Sequence, residues 1–306
     1  MGKQGKLQTA LEYSAVRTVL AAFGIMPRSL AIAAGCDMGR LFYRLSGRLR
    51  RAGMRNLKMA FPEMSESERE RILRGCFLSL GRQLGEFSQF RRATLESLTR
   101  VVDCVGLENL EEAKKRGKGV LLFTGHLGAW ELSSFALSAF GHPLSFIVRR
   151  MDNEKIEPLI ESVRSRFGNR TIDKFTSARK LLRTLHDGET LGVLVDLNTH
   201  PPGAVFVDFF GIPAATTTGL ANLALRTDAA VLPVFAPWDK ERQRYVLHVD
   251  PPVEIERTGD AKEDIRRLTS EVTSVVEAYV RRYPEQWLWI HKRWNTRPPG
   301  EADLYQ

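Results

Sequence analysis

The sequence predicts an α/β fold, a central mixed β-sheet flanked by helices, preceded by a helical membrane-associating N-terminal segment. Three observations carry that expectation. Short apolar runs at 119–124, 190–195 and 230–236 have the length and continuity of strands buried on both faces. Between them lie stretches with apolar residues at three- and four-residue intervals, as helices covering a sheet require. A chain of 306 residues, 43% of them hydrophobic, can also bury a substantial core.

The first 55 residues stand apart in charge. They hold ten Lys and Arg, from Lys3 to Arg55, against Glu12 and Asp37, a net +8 out of a formal +9 for the whole chain. The same stretch carries the apolar runs 19–26 and 30–34. Basic and apolar together point to an anionic membrane surface as partner. A crossing needs ~20 mostly apolar residues, and Arg17, Pro27 and Arg28 interrupt the candidate at 15–36. A peripheral, monotopic anchor is therefore expected, with a single N-terminal span as the alternative. Nucleic acid is not expected as a partner, because no aromatics interleave with the basic residues and no recognition motif is present. The chain divides accordingly into a basic amphipathic segment, 1–55, and a catalytic domain, 56–306.

Residues 65–100 read as helical. Ser65 and Glu68 have the spacing of a capping box. Ile72, Leu73, Cys76, Phe77, Leu80, Leu84 and Phe87 then form a stripe expected to face the core. A helix at 107–116 and a Gly117-Lys118-Gly119 turn lead into the strand 119–124. Beyond it the expected strands are 144–149, 190–195, 230–236 and 245–249, and the expected helices 156–167, 177–187, 218–226 and 264–283. The break Pro201-Pro202-Gly203 and the run Phe209-Phe210-Gly211-Ile212-Pro213 read as a structured loop near the strand that ends at Asp196.

Cys36, Cys76 and Cys104 are scattered, so neither a zinc site nor a disulfide framework is indicated, and the location expected is a reducing one facing the cytosol. No phosphate loop and no zinc-protease motif occur. No metal or cofactor is expected.

The most informative run follows the first buried strand: Gly125-His126-Leu127-Gly128-Ala129-Trp130-Glu131. Strand ends of this kind open into the crevice where ligands bind in α/β proteins. An imidazole with a carboxylate is equipped to deprotonate an alcohol. Five positions apart on a regular helix, His126 and Glu131 would lie about 140° from each other. His126 is thus expected in the turn and Glu131 in the first turn of a helix over 128–140, folding back to hold the other ring nitrogen and fix its tautomer. A capping histidine beside a first-turn glutamate favoured by the helix dipole is the alternative. Arg149 and Arg150, at another strand end, offer guanidinium forks for phosphate, or simply surface ion pairs.

Compared with known families, the sequence resembles the bacterial lipid A biosynthesis acyltransferases, the late lauroyl and myristoyl transferases, and the related acyltransferases that act on phosphatidylinositol mannosides. The resemblance runs through Arg55-Asn56-Leu57, Ala60-Phe61-Pro62-Glu63, His126 with Glu131, Arg164 before Phe167-Gly168, Asp196, the run from Val207 to Gly219, and Trp287-Leu288-Trp289-Ile290-His291-Lys292-Arg293-Trp294. It implies a glycerolipid-acyltransferase-like fold and a membrane enzyme on the cytoplasmic face of the cell inner membrane. The implied reaction uses a His-x4-Glu dyad to pass a fatty acyl chain from a thioester, on acyl carrier protein or coenzyme A, to a lipid hydroxyl without a covalent acyl-enzyme. Arg164 would bind a phosphate, and Asp196 would orient that arginine or shape the pocket. His291 reads as structural or phosphate-facing rather than as a second base. Behind Asp196 this chain has Leu197-Asn198-Thr199-His200, where lipid A enzymes commonly have a second acid. The acceptor is thus left open among a lipid A precursor, another glycolipid and a lysophospholipid. A non-catalytic lipid-transfer protein would give no product, and a thioesterase would release free fatty acid without an acceptor.

Overall fold

The computed structural model describes residues 5–175 and 178–306. Lys3 and Ser177, the expected start of a helix, lie outside them. Two helices, α1 (Lys6–Ile25) and α2 (Arg28–Leu45), meet at Met26-Pro27, where extended backbone and the missing N–H end the first helix. No helix among the described residues is long and apolar enough to cross a membrane. Next come α3 (Gly47–Ala60) and α4 (Glu66–Gln89). The α4 start has the expected capping box, with Glu68 N donating to Ser65 Oγ at 3.3 Å and Ser65 N to Glu68 Oε2 at 2.8 Å. Ala31 and Gly35 of α2 meet Gly85 and Gly81 of α4, and Gly39 meets the backbone of Phe77, which brings the two helices into direct backbone contact.

Strand and helix then alternate: α5 (Leu95–Thr99), β1 (Val102–Val105), α6 (Leu107–Lys115), β2 (Val120–Thr124), α7 (Trp130–Ala139), β3 (Ser145–Val148), α8 (Ile156–Arg164), β4 (Arg170–Asp173), α9 (Ala178–His186) and β5 (Thr190–Leu194). A hairpin, β6 (Ala204–Phe209) and β7 (Ile212–Thr217), stands apart from the main sheet. The chain continues through α10 (Gly219–Thr227), β8 (Ala230–Phe235), β9 (Trp238–Asp239), β10 (Arg244–Val249) and α11 (Ala261–Arg282).

The main sheet has the order β1-β10-β8-β2-β5-β3-β4, with β9 on β10. It is mixed, because β10 runs antiparallel to β8 while β2, β5, β8, β3 and β4 are parallel. Side chains alternate across it with the two-residue period of a strand. Leu121, Phe123, Leu191 and Val231 enter one core with α4, α9, α10 and α11. Val120, Leu122, Leu232 and Val234 enter the other with α6, α7 and α8.

Three expectations change here. The run 209–213 is a two-residue hairpin turn rather than a loop, since Phe210 and Gly211 adopt φ of 56° and 73° and close β6 onto β7. The four-residue strands β1 and β4, each at one edge of the sheet, were not anticipated. The α4 stripe is only partly core: Ile72, Leu73, Cys76 and Phe77 are buried, whereas Leu80, Leu84 and Phe87 line a groove.

Candidate active site

Strands β2 and β5 are parallel neighbours with Thr124 opposite Leu194. Two residues further along each lie His126 and Asp196, so the register delivers both to the same carboxyl-terminal edge of the sheet. The imidazole Nδ1 and Asp196 Oδ1 are 2.7 Å apart, and the backbone N–H of His126 donates to Asp196 Oδ2, also at 2.7 Å. Nδ1–H as the donor leaves Nε2 with its lone pair, and Nε2 has no hydrogen-bond partner among the described residues. The expected bond between His126 and Glu131 is absent. Asp196 takes that place, because strand register aims it at the ring while the first turn of α7 carries Glu131 elsewhere.

Glu131 meets Arg164 at the end of α8. Nε donates to Glu131 Oε2 at 3.1 Å, and Nη2 to Oε1. Burial opposes the charge on Arg164, but Glu131, Glu157 and Glu161 together raise its pKa above the usual arginine value. This guanidinium is committed to a carboxylate, so the expected pairing of Arg164 with Asp196 does not form. Binding a phosphate there would require displacing Glu131. Arg149 and Arg150 are exposed and pair with Asp152 and Asp173, away from His126 in the hydrogen-bond network.

The loop between β2 and α7 is held rigidly. Leu288 N donates to the His126 carbonyl at 3.1 Å, Gly128 N to Gln286 O at 3.1 Å and Ala129 N to Ala236 O at 2.8 Å. Gly128 has φ of 60°, and a Cβ there would stand 2.2 Å from Ala236 O. At Gly125 a Cβ would come within 3.0 Å of Asp196 Oδ2, so the carboxylate seats against bare backbone.

The segment 286–294 closes the site from behind. Trp287 Nε1 donates to Asp196 Oδ2 at 2.7 Å. Burial would raise the pKa of Asp196, yet the charge of His126, its two hydrogen bonds and the Trp287 bond bring it below the usual aspartate value. His291 Nε2 accepts the N–H of Asn198 at 3.0 Å, and burial pulls this imidazole down to about 4. It is a neutral structural acceptor. Arg293 is 1% exposed, donates to Ala215 O at 2.8 Å, and is pushed down to about 10 by burial. Asn56 ties α3 to this segment, donating to Trp289 O at 2.6 Å and His291 O at 2.7 Å. The run 287–294 was recognisable as a segment of the chain, but the partners of its side chains were not.

Two apolar spaces flank the Glu131–Arg164 pair. An inner cavity of about 70 Å³ lies between the sheet and α7, walled by Leu122, Leu137, Leu144, Phe146, Gly192 and Leu194. An outer groove of about 280 Å³ is formed by Leu80, Leu84 and Phe87 of α4 with Leu132, Met151 and Ile160. Trp130, Glu131 and Arg164 line both. His126 lines neither, but its ring is 5.0 Å from that of Trp130. No group of side chains suited to a metal ion occurs among the described residues.

The bacterial lipid A biosynthesis acyltransferase family matches residues 2–296 of this chain. The chain belongs to that family. As a lipid A biosynthesis-type acyltransferase it is similar to the lipid A biosynthesis myristoyltransferase of Escherichia coli, at 29% identity over 88% of this chain and 82% of that protein. The lauroyltransferase of the same organism is 29% identical over 92% of this chain and 90% of its own length. Its palmitoleoyltransferase is 29% identical over 82% and 80%. The protein is an acyltransferase.

Proposed function

We propose that the protein transfers a fatty acyl chain from a thioester, carried by acyl carrier protein or coenzyme A, to a hydroxyl of a lipid A precursor at the cytoplasmic surface of the inner membrane. The observation that carries the chemistry is the bond from His126 Nδ1 to a buried carboxylate, which leaves Nε2 as an oriented base. Nε2 takes the hydroxyl proton as the oxygen bonds to the thioester carbonyl. The C–S bond then breaks, and the imidazolium returns the proton to the departing thiolate. The base is oriented by Asp196 rather than Glu131, so the dyad is His126–Asp196. No covalent acyl-enzyme is needed.

The aliphatic inner cavity, at about 70 Å³, suits only the terminal carbons of an acyl chain, and the outer groove, at about 280 Å³, suits a longer apolar part of donor or acceptor. Membrane association is supported by the outer face of the N-terminal helices. Leu41, Phe42 and Leu45 are 53%, 49% and 73% exposed, next to the exposed Arg40, Arg44, Arg48 and Arg51. That combination fits an anionic leaflet, where each cation contributes about 1 kcal/mol.

The test offers lauroyl-coenzyme A and lauroyl-acyl carrier protein in parallel, with underacylated lipid A in mixed micelles, and identifies products by mass spectrometry. Folded His126→Ala is expected to lose ~10²–10⁴ of turnover. Full transfer by that variant, or release of free laurate at the same rate without acceptor, would overturn the proposal.

A further inference from the structure

We propose that Trp287 is a positioning residue for this reaction, fixing through its indole N–H the carboxylate that orients His126. The inference rests on the reading of His126 as the base, and adds a residue to it.

The Asp196 carboxylate receives three N–H groups. Oδ1 takes His126 Nδ1, while Oδ2 takes the His126 backbone N–H and Trp287 Nε1, all three at 2.7 Å. Two of these donors belong to the residue being oriented. Trp287 is the only donor to Asp196, among the described residues, that ties it to something other than His126. The terminal torsion of an aspartate is broad, and the rigid loop holds Oδ2 from one side only, through the His126 main-chain N–H, so without Trp287 the carboxylate can pivot about that single bond and carry the imidazole with it. Orientation of Nε2 relative to the substrate would be lost while the dyad stayed intact.

Trp287 is built to resist such movement. It is 1% exposed, with its ring 5.5 Å from Phe209 and 4.7 Å from Trp289. Its backbone bridges to Leu127, and its neighbours Gln286 and Leu288 hold Gly128 and the His126 carbonyl. One short segment therefore fixes both the main chain of the catalytic loop and the acid beneath it.

The bond also affects charge. An N–H on Oδ2 stabilises the carboxylate without protonating it. With that donor removed, the carboxylate directs more of its charge at the imidazole ring and favours the imidazolium. The acid limb of the rate profile should then move to higher pH. The other titratable groups facing Asp196 are His126 from the β2–α7 loop and His291 and Arg293 from the C-terminal segment. The substitution leaves all three in place.

Trp287→Phe in the full-length chain should lower kcat about tenfold, the value of one hydrogen bond to a charged group. It should also raise the acid limb of kcat/KM by ~0.5–1 pH unit. In an Asp196→Ala background the same substitution should change neither. A second variant places benzothienylalanine at position 287, which keeps the bicyclic ring but has sulfur in place of N–H. It should reproduce the loss with packing retained, and it carries the test if Trp287→Phe does not fold. Normal kcat and an unshifted profile in the benzothienylalanine protein would overturn the inference, as would a full independent loss on top of Asp196→Ala. If His126→Ala is inactive while the Trp287 variants are normal, only this inference falls. If His126→Ala is active, the reading beneath it falls.

Discussion

The His126–Asp196 pair and the Arg164–Glu131 pair are both anchored in the stretch from Gly125 to Glu131, yet they occupy different surroundings. The Asp196 side chain is 1% exposed, seated on backbone and held by three N–H donors, and its partner is held by main-chain bonds on two sides. Glu131 and Arg164 are 22% and 18% exposed and stand between an inner cavity and an outer groove. A buried acid held by three N–H donors from two directions orients a neighbour and is poorly placed to turn to other partners. An ion pair that is partly exposed and flanked by apolar space is reachable by substrate, which would have to displace one of its bonds to engage either partner. On the proposed reading, the contrast fits proton transfer by the first pair and substrate positioning by the second.

Asp196→Asn tests that division most severely. The side chain keeps its size and loses the charge that supports an imidazolium, and its amide can present an N–H where Nδ1–H needs an acceptor. A loss of about 10²–10⁴ in kcat is expected, the scale of forcing the wrong tautomer on a catalytic histidine. Thermal melting should report whether the buried site still folds. A folded variant within a few-fold of wild type would dissolve the distinction between the two pairs.

Glu131→Gln should do less. One bond of the bidentate clasp on Arg164 is lost, because the amide NH2 cannot accept from a guanidinium N–H, the other keeps a neutral acceptor, and the guanidinium still has Glu157 and Glu161 nearby. A decrease of roughly tenfold in kcat/KM is expected, carried mainly by KM, because a substrate-positioning group contributes to binding in both ground and transition states. An equal fall in kcat and kcat/KM, as large as that of Asp196→Asn, would return Glu131 to the proton-transfer step.

The two pairs also show what spacing along a chain can and cannot reveal. His126 was legible because a glycine-flanked histidine directly after a continuous apolar run marks a strand end. Glu131 was legible as a first-turn acid. Its pairing was not, because the partner of His126 comes from a strand 70 positions away whose adjacency depends on the sheet order β2-β5. Only register shows that 126 and 196 stand side by side. The α/β alternation itself was readable wherever strands were continuous and apolar. It failed at β1 and β4, which have four residues each and mixed burial, and at the β6–β7 turn, where a phenylalanine at positive φ hides the hairpin signal. Trp287 and Asn56 belonged to recognisable runs, but nothing in a linear pattern tells which atom an indole N–H or an amide will reach.

The smallest effect concerns the scaffold shared by both pairs. His291 accepts the Asn198 N–H two residues beyond Asp196, and its buried ring titrates near 4 against an ordinary 6.5. The unfolded chain therefore takes up a proton at this residue between pH 6.5 and 4 that the folded protein refuses. Its neutral form stabilises the fold fully above that window, and the contribution is lost as pH falls through it, up to about 3 kcal/mol. His291→Gln keeps an acceptor for Asn198 but has nothing to protonate. Its denaturation midpoint should fall less steeply than that of wild type between pH 6.5 and 4, while turnover at pH 7.5 stays within a few-fold of normal. Parallel stability curves would mean that the ring can be charged in place. In that event the support beneath Asp196 would itself be a source of positive charge at low pH, and acid inactivation could no longer be attributed to His126 alone.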